Sequence, residues 1–333
     1  MRGLPRIEPL LAQIRTQGAV LPDLLFTPLL FRGRDVFDLI HRLSTNDLRA
    51  MRPGIPVRTV FTTEKGRVID HVDVVDLNGV VCVLVHAHAA AAVVSWIDRF
   101  TISEDVALDA ATSSSVVTSI VLDEADSRDT DPLFMATGAG GSFADSVRTW
   151  ESRFGPIEIR HIVHPVELAS RIRERLGLAR SPQLSLAEYQ AIRVFLGVPS
   201  SPEELNEDRN PLECGLRASV SFTKGCYVGQ EVVARLDAYE KVQRELATVA
   251  IAAGDAHVDP GAEILTGSGE LVGTVTSVGG ILEGLNEQLL LGFVKKGITA
   301  TSERINIRTV SGMSAVRFFD RSAHPLWPGG ASV

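Results

Sequence analysis

The chain is short of cysteine and of positive charge, and each shortage excludes something. Three cysteines (Cys82, Cys214 and Cys226) among 333 residues cannot form a disulfide framework, and their number fits a reducing compartment. A formal net charge of −8 argues against a general nucleic-acid binder, which needs a basic surface to displace counterions. No low-complexity tract occurs. Residues 1–23 hold no apolar signal core and carry Glu8 among arginines, so a secretory leader is not expected. From Val80 to Ile97 no residue carries a fixed charge, which just reaches the length of a membrane span. The stretch contains His86, His88 and Ser95, however, and changes midway from a β-branched run to an alanine-rich one. A buried strand followed by a helix explains it better. The expected location is the cytosol, with neither nucleic acid nor membrane as a partner.

What is present is enough for two or three domains. A strand over 24–31 precedes a helix from Asp35 to Leu43 with an apolar stripe. Residues 57–62 and 67–76 read as strands joined by the turn Glu64-Lys65-Gly66. Further strands are expected over 106–110, 116–122, 133–137 and 157–163, with a polar loop over 123–131. Helices are expected over 144–154, 166–176 and 186–196, the last capped by Ser185 and ended by Gly197. A long irregular loop, 198–220, follows; loops of that length in a compact domain are often functional. Beyond Lys241 the texture changes to short strand candidates separated by Gly-rich turns, the pattern of a small β-barrel or sandwich. The expected division is 1–239, an α+β region of two interleaved subdomains, and 240–333, the barrel.

The chemistry centres on Lys224-Gly-Cys-Tyr-Val-Gly-Gln-Glu231. Gly225 and Gly229 let the backbone turn and a ligand approach. Lys224 precedes the thiol, and 231–238 has good helix propensity, so Cys226 is expected in a loop feeding a helix N-terminus. Cationic neighbours and a helix N-terminus both favour thiolate. Such a thiol suits a nucleophile, a metal or cluster ligand, or a redox-sensitive contact. Cys82, inside Val-Val-Cys-Val-Leu-Val, reads as packing, and Cys214 is left undecided. His86 and His88 share one strand face in this reading, but no third ligand is near, and His161 and His164 face the same objection, so no metal site is expected. The Gly138-Ala-Gly-Gly141 run lacks phosphate-loop spacing.

Ser221-Phe-Thr-Lys-Gly-Cys-Tyr-Val-Gly-Gln-Glu231 resembles the signature of the YgfZ-type folate-binding proteins, relatives of the glycine cleavage T-protein, an aminomethyltransferase. Gly33 to Asp47, with its Thr45-Asn46-Asp47 end, Thr62 to Asp70, and Arg193 through Pro211-Leu212-Glu213 agree in order. The resemblance implies an α+β, aminomethyltransferase-like fold: mixed sheets and helices around a central channel that binds tetrahydrofolate, with a C-terminal β-barrel. It implies an accessory role in assembly or repair of iron–sulfur enzymes as client partners, through Cys226 and without turnover of a small substrate. Lys224, Tyr227, Gln230, Glu231, Arg193, Phe195 and Asn46 are then the expected cofactor-binding residues. The alternative is a folate-dependent aminomethyltransferase with Asp70 as the carboxylate that orients the amine. T-proteins carry an Asp-Asp pair where this chain has Asp70-His71, and a glutamate where it has Phe195; they also lack the cysteine octapeptide. Those departures weigh against the transferase.

Overall fold

A computed structural model describes residues 4–49, 51–122, 147–154, 157–176, 178, 181–254, 257–301 and 303–320. The expected strand and loop over 123–137 and the Gly138–Gly141 run lie outside the described residues.

The chain starts with α1 (Ile7–Gln17) and the short β1 (Ala19–Val20), neither expected from the sequence. Next come β2 (Phe26–Arg32), α2 (Val36–Leu43), β3 (Val57–Thr62), β4 (Val68–Asp76), β5 (Val81–His86), α3 (Ala90–Phe100) and β6 (Ala107–Leu108). The strands form one antiparallel sheet in the order β3-β4-β5-β2-β6. Side chains alternate faces along a strand. Val72, Val74, Val83 and Val85 therefore meet Leu39, Ile40, Leu43, Val93 and Ile97 of α2 and α3 on one face. On the other face Leu30, Val75, Cys82 and Leu84 meet Val117, Trp150 and Val163 of a second sheet. Covering on both faces explains the unbroken Val-Cys-Val-Leu-Val run. The uncharged stretch from Val80 is thus a buried strand and a helix, and among the described residues no helix is long and apolar enough to cross a membrane.

The second sheet contains β7 (Ser115–Leu122), β8 (Arg148–Phe154) and β9 (Ile157–Pro165), in the order β1-β7-β9-β8. The described part of 144–154 is strand, not the helix expected. Val147, Trp150 and Phe154 imitate helical spacing, but Trp150 and Ser152 are buried while Glu151 and Arg153 are exposed, a period of two. Pairing with β9 overrides the local pattern. After α4 (Ala169–Arg175), α5 (Leu186–Leu196) forms as expected. The Ser185 hydroxyl accepts from the Glu188 N–H at 3.3 Å, and the Glu188 carboxylate accepts from the Ser185 N–H at 2.7 Å. This is a reciprocal capping box.

The irregular loop then leads into α6 (Gln230–Ala238). Beyond it β10 (Arg244–Ala252), β11 (Glu263–Thr266), β12 (Leu271–Leu282), β13 (Glu287–Lys295), β14 (Ile305–Thr309) and β15 (Gly312–Phe318) close into a six-stranded antiparallel barrel. Its interior is aliphatic, with Val249, Ile264, Val275, Leu290 and Ile307 at its centre. Helix α5 packs between this barrel and the second sheet, in a core shared with α1.

Candidate functional site

Helix α2 ends at Leu43, and its last carbonyls need donors. Lys224 supplies them: its ammonium donates to the carbonyls of His41 (2.5 Å), Ser44 (2.7 Å) and Asn46 (2.7 Å). A cation at a helix C-terminus is also favoured by the helix dipole. Burial pulls Lys224 down to about 8, and its ammonium lies 5.2 Å from the centre of the Tyr227 ring. Tyr227 is itself buried, which pushes its phenol up to about 12. Further ties hold the segment: the Ser221 N–H donates to the Thr45 carbonyl, the Val228 N–H to Arg42, and the Thr62 hydroxyl to the Val228 carbonyl.

Gly229 completes the anchoring. It has φ 85° at the N-cap of α6, and a β-carbon there would lie 2.5 Å from the Thr63 carbonyl oxygen and 3.0 Å from Gly66 Cα. Two glycine backbones thus touch where the β3–β4 turn meets the cysteine segment. Gly225 differs, since a β-carbon there would meet nothing within 4 Å. Of the three cysteines only Cys226 is exposed. It sits three residues before the helix N-cap, as expected. Cys82 and Cys214 are buried, and burial drives both thiols upward. The Cys214 thiol donates to the Glu204 carbonyl at 3.4 Å. Glu231 is exposed in the first turn of α6 and Gln230 half-buried.

A second feature is a narrow cleft of about 20 Å³ between the two sheets, lined by Phe26, Arg58, His71, Asp73, His86 and His161, with Leu84 and Pro199. Phe26 lies 5.3 Å from the His86 ring and edge-on to His161 at 5.6 Å. Each imidazole is tied at one nitrogen. His71 Nε2 meets the Ser219 hydroxyl at 2.8 Å, and His161 Nδ1 the Ser119 hydroxyl at 2.8 Å. Burial lowers His71 to about 3 and His161 to about 4, so both rings are neutral. Asp70 is fully buried and stands behind His86, accepting from its N–H and from Nδ1, both at 2.8 Å. It reaches the cleft only through that ring. Strand β5 ends at His86, and His88 is exposed in the following turn, so the two do not share a strand face. Among the described residues no group of three His, Cys, Asp or Glu is placed to hold a metal.

The buried carboxylate on the cleft wall is Asp73, which the sequence reading passed over. Arg58 donates to it at 3.0 Å, and the Ser152 hydroxyl also donates. Burial alone would raise Asp73, but Arg58 and these hydrogen bonds outweigh it and leave the group at about 2. A charge in a strand covered on both faces is itself a signal, since such a group is buried only when paired. Because the folded value lies below the unfolded one, about 3.9, Asp73 adds stability above about pH 4 that is lost as pH falls towards 2. Asp73→Asn is expected to lower stability at neutral pH by about 2 kcal/mol and to flatten its fall between about pH 4 and 2. Urea titrations across that range test this, and parallel acid limbs in the two proteins would refute it.

Three expected binding residues have other occupations. Arg193 is buried and donates to Glu204, Ser277, Gln190 and the Val198 carbonyl. Phe195 is 1% exposed, in the core beside Phe319, and does not line the cleft. Asn46 donates to the Arg58 carbonyl at 2.9 Å, and its own carbonyl receives Lys224.

No protein-family model matches the chain. A solved structure of the glycine cleavage system aminomethyltransferase T from Bartonella henselae superposes with a TM-score of 0.76, over 95% of this chain and 93% of that one, at 15% identity. A chloroplastic protein of Arabidopsis thaliana named as a transferase is 24% identical over 332 residues, 92% of this chain and 73% of the relative. The human mitochondrial iron–sulfur cluster assembly factor IBA57 is 38% identical over 93 residues, 26% of each chain. The chain is similar to proteins of the GcvT/YgfZ-like kind in sequence and in fold. The superposition shows the α+β aminomethyltransferase-like fold, with its closed C-terminal barrel. The match to IBA57 covers only about a quarter of either chain.

Proposed function

We propose that this protein is a tetrahydrofolate-binding accessory factor in the assembly or repair of iron–sulfur enzymes, acting through Cys226 and not turning over a small substrate by itself. The observation that carries this reading is the division of labour within residues 224–231. Lys224, Tyr227, Val228 and Gly229 are engaged in anchoring, which leaves the Cys226 thiol presented to solvent. A scaffold that fixes a short segment so firmly, with its thiol outward, suits a contact made with another molecule. The name of the human relative supports iron–sulfur proteins as the clients. Three free thiols support a reducing compartment, and the cytosol is our reading.

We assign the folate part of the proposal to the cleft between the sheets. Phe26, His86 and His161 offer aromatic edges and faces to a flat heterocycle, and the Asp73 carboxylate, held by Arg58 and Ser152, sets a negative charge on the cleft wall. Tetrahydrofolate carries one-carbon units, and this chain's residues would bind and orient it. The transferase alternative has the name of the Arabidopsis relative in its favour. Against it stands Asp70, whose two oxygens are both taken by His86.

Cys226→Ala is expected to abolish rescue of iron–sulfur enzyme activity in a deficient strain while shifting stability by less than about 0.5 kcal/mol. Full rescue by Cys226→Ala, together with failure of a folded Asp70→Asn variant, would reverse the assignment in favour of one-carbon transfer. Calorimetry with tetrahydrofolate tests the cleft separately, and absence of binding at millimolar ligand would remove folate from the proposal.

A further inference from the structure

A cavity of about 290 Å³ lies where the irregular loop meets the barrel, lined by Arg209, Gln243, Arg244, Phe293 and Lys295 around the backbone of Gly273 on β12. None of these residues belongs to the cleft or to the cysteine segment. The Arg209 guanidinium stands over the Phe293 ring, 4.1 Å from its centre. Its Nε is buried with no hydrogen-bond partner. Among the described residues no carboxylate comes within ion-pairing distance of Arg209 or Arg244. Arg244 on β10 stands directly across from Lys295 on β13, like charge against like, an arrangement that is destabilising when nothing lies between. Lys295 has a counter-charge in Glu270; the two arginines do not.

We propose that this cavity binds a small oligoanion, through a phosphate or clustered carboxylates held between Arg209 and Arg244 with Lys295 beside them. Stacking on Phe293 fixes the plane of the Arg209 guanidinium and directs its remaining donors, the arrangement that makes arginine suited to bidentate anion recognition. Burial and the neighbouring Arg244 both pull Arg209 downward, only partly offset by Glu213 and Asp208. An anion between the arginines would supply the missing counter-charge and the missing acceptors together. The inference is independent of the folate reading, because it uses a different cavity.

The test is calorimetric titration of the full chain with inorganic phosphate and, separately, with citrate, at ionic strength held constant with potassium chloride. At least one probe is expected to bind saturably at one site, and binding is expected to weaken about tenfold or more in Arg244→Gln and in Arg209→Gln. Arg244 is exposed on a strand end, so Arg244→Gln keeps the test valid should Arg209→Gln fold poorly; thermal unfolding checks both. Tighter binding of phosphate assigns the phosphoryl class and tighter binding of citrate the carboxylate class. No saturable heat with either probe up to about 20 mM, or wild-type affinity in a folded Arg244→Gln variant, would overturn the proposal.

Discussion

Arg193→Leu is expected to destabilise the protein by about 3–5 kcal/mol, the cost of leaving one member of a buried ion pair without its partner. Arg193 is 2% exposed and Glu204 fully buried, and their charged atoms meet at 2.8 Å. The carboxylate also accepts from the Ser200 N–H (3.0 Å) and from the hydroxyls of Thr276 (2.5 Å) and Ser277 (2.6 Å). Arg193 lies on α5, Glu204 in the irregular loop, and the two hydroxyls on β12 of the barrel, so one network joins three parts of the molecule. With leucine at 193 the carboxylate keeps three neutral donors and loses its only close cation among the described residues. Arg193→Lys should recover only part of the loss, because an ammonium cannot reproduce the forked reach to Glu204, Ser277 and Val198. A double variant, Arg193→Leu with Glu204→Leu, should be less destabilised than Arg193→Leu alone, since no uncompensated charge remains. Urea denaturation of the three variants provides the comparison. A loss below about 1 kcal/mol for Arg193→Leu would mean that the pair contributes no more than a surface ion pair.

The same network marks where reading from sequence reached its limit. The resemblance singles out Arg193 as a cofactor-binding residue, and the partners its side chain takes lie 11 and 84 positions further along the chain. Nothing local shows that a helix arginine will be buried against a barrel hydroxyl. Lys224 is similar. Sequence proximity put its charge beside the thiol, whereas the tertiary fold turns its ammonium inward to the carbonyls of α2. Features governed by short-range chemistry were legible: the Ser185–Glu188 cap, the Glu64-Lys65-Gly66 turn, the two-sided burial of 81–85, and the barrel's run of short strands. Helix α1 was missed although Ile7, Leu10, Leu11 and Ile14 have the spacing of one buried face. Its N-cap, Arg6, makes no side-chain cap bond, so the usual start signal is absent. The cleft was the least legible part. Strands β2, β3, β4, β5 and β9 and the loop residue Pro199 each contribute to it, and only Asp73's place in a doubly covered strand hinted at it.

Gly229→Ala is expected to cost about 3 kcal/mol, and Gly225→Ala less than about 0.5 kcal/mol, although the two glycines flank the same thiol. The first estimate joins two effects. A side chain at φ 85° meets the steric cost of left-handed backbone, about 1–2 kcal/mol. Its β-carbon would also lie 2.5 Å from the Thr63 carbonyl oxygen, so a backbone carbonyl, not a flexible side chain, must give way. Overpacking of this kind typically adds about 1–3 kcal/mol. The Thr63 carbonyl cannot retreat freely, because it also accepts the Gly66 N–H at 2.8 Å and so closes the β3–β4 turn. Strain at Gly229 therefore spreads into the hairpin that carries Asp70, His71 and Asp73. At Gly225 neither effect operates: its φ is not in the left-handed range and the space around it is open. A glycine that the free protein does not require is best explained by close approach of another molecule beside Cys226. Gly225→Ala should then leave the unfolding midpoint unchanged while impairing rescue of iron–sulfur enzyme activity, whereas Gly229→Ala should depress both. If Gly225→Ala rescues as well as the parent protein, close approach at that position is excluded and the functional case for the segment rests on the thiol alone.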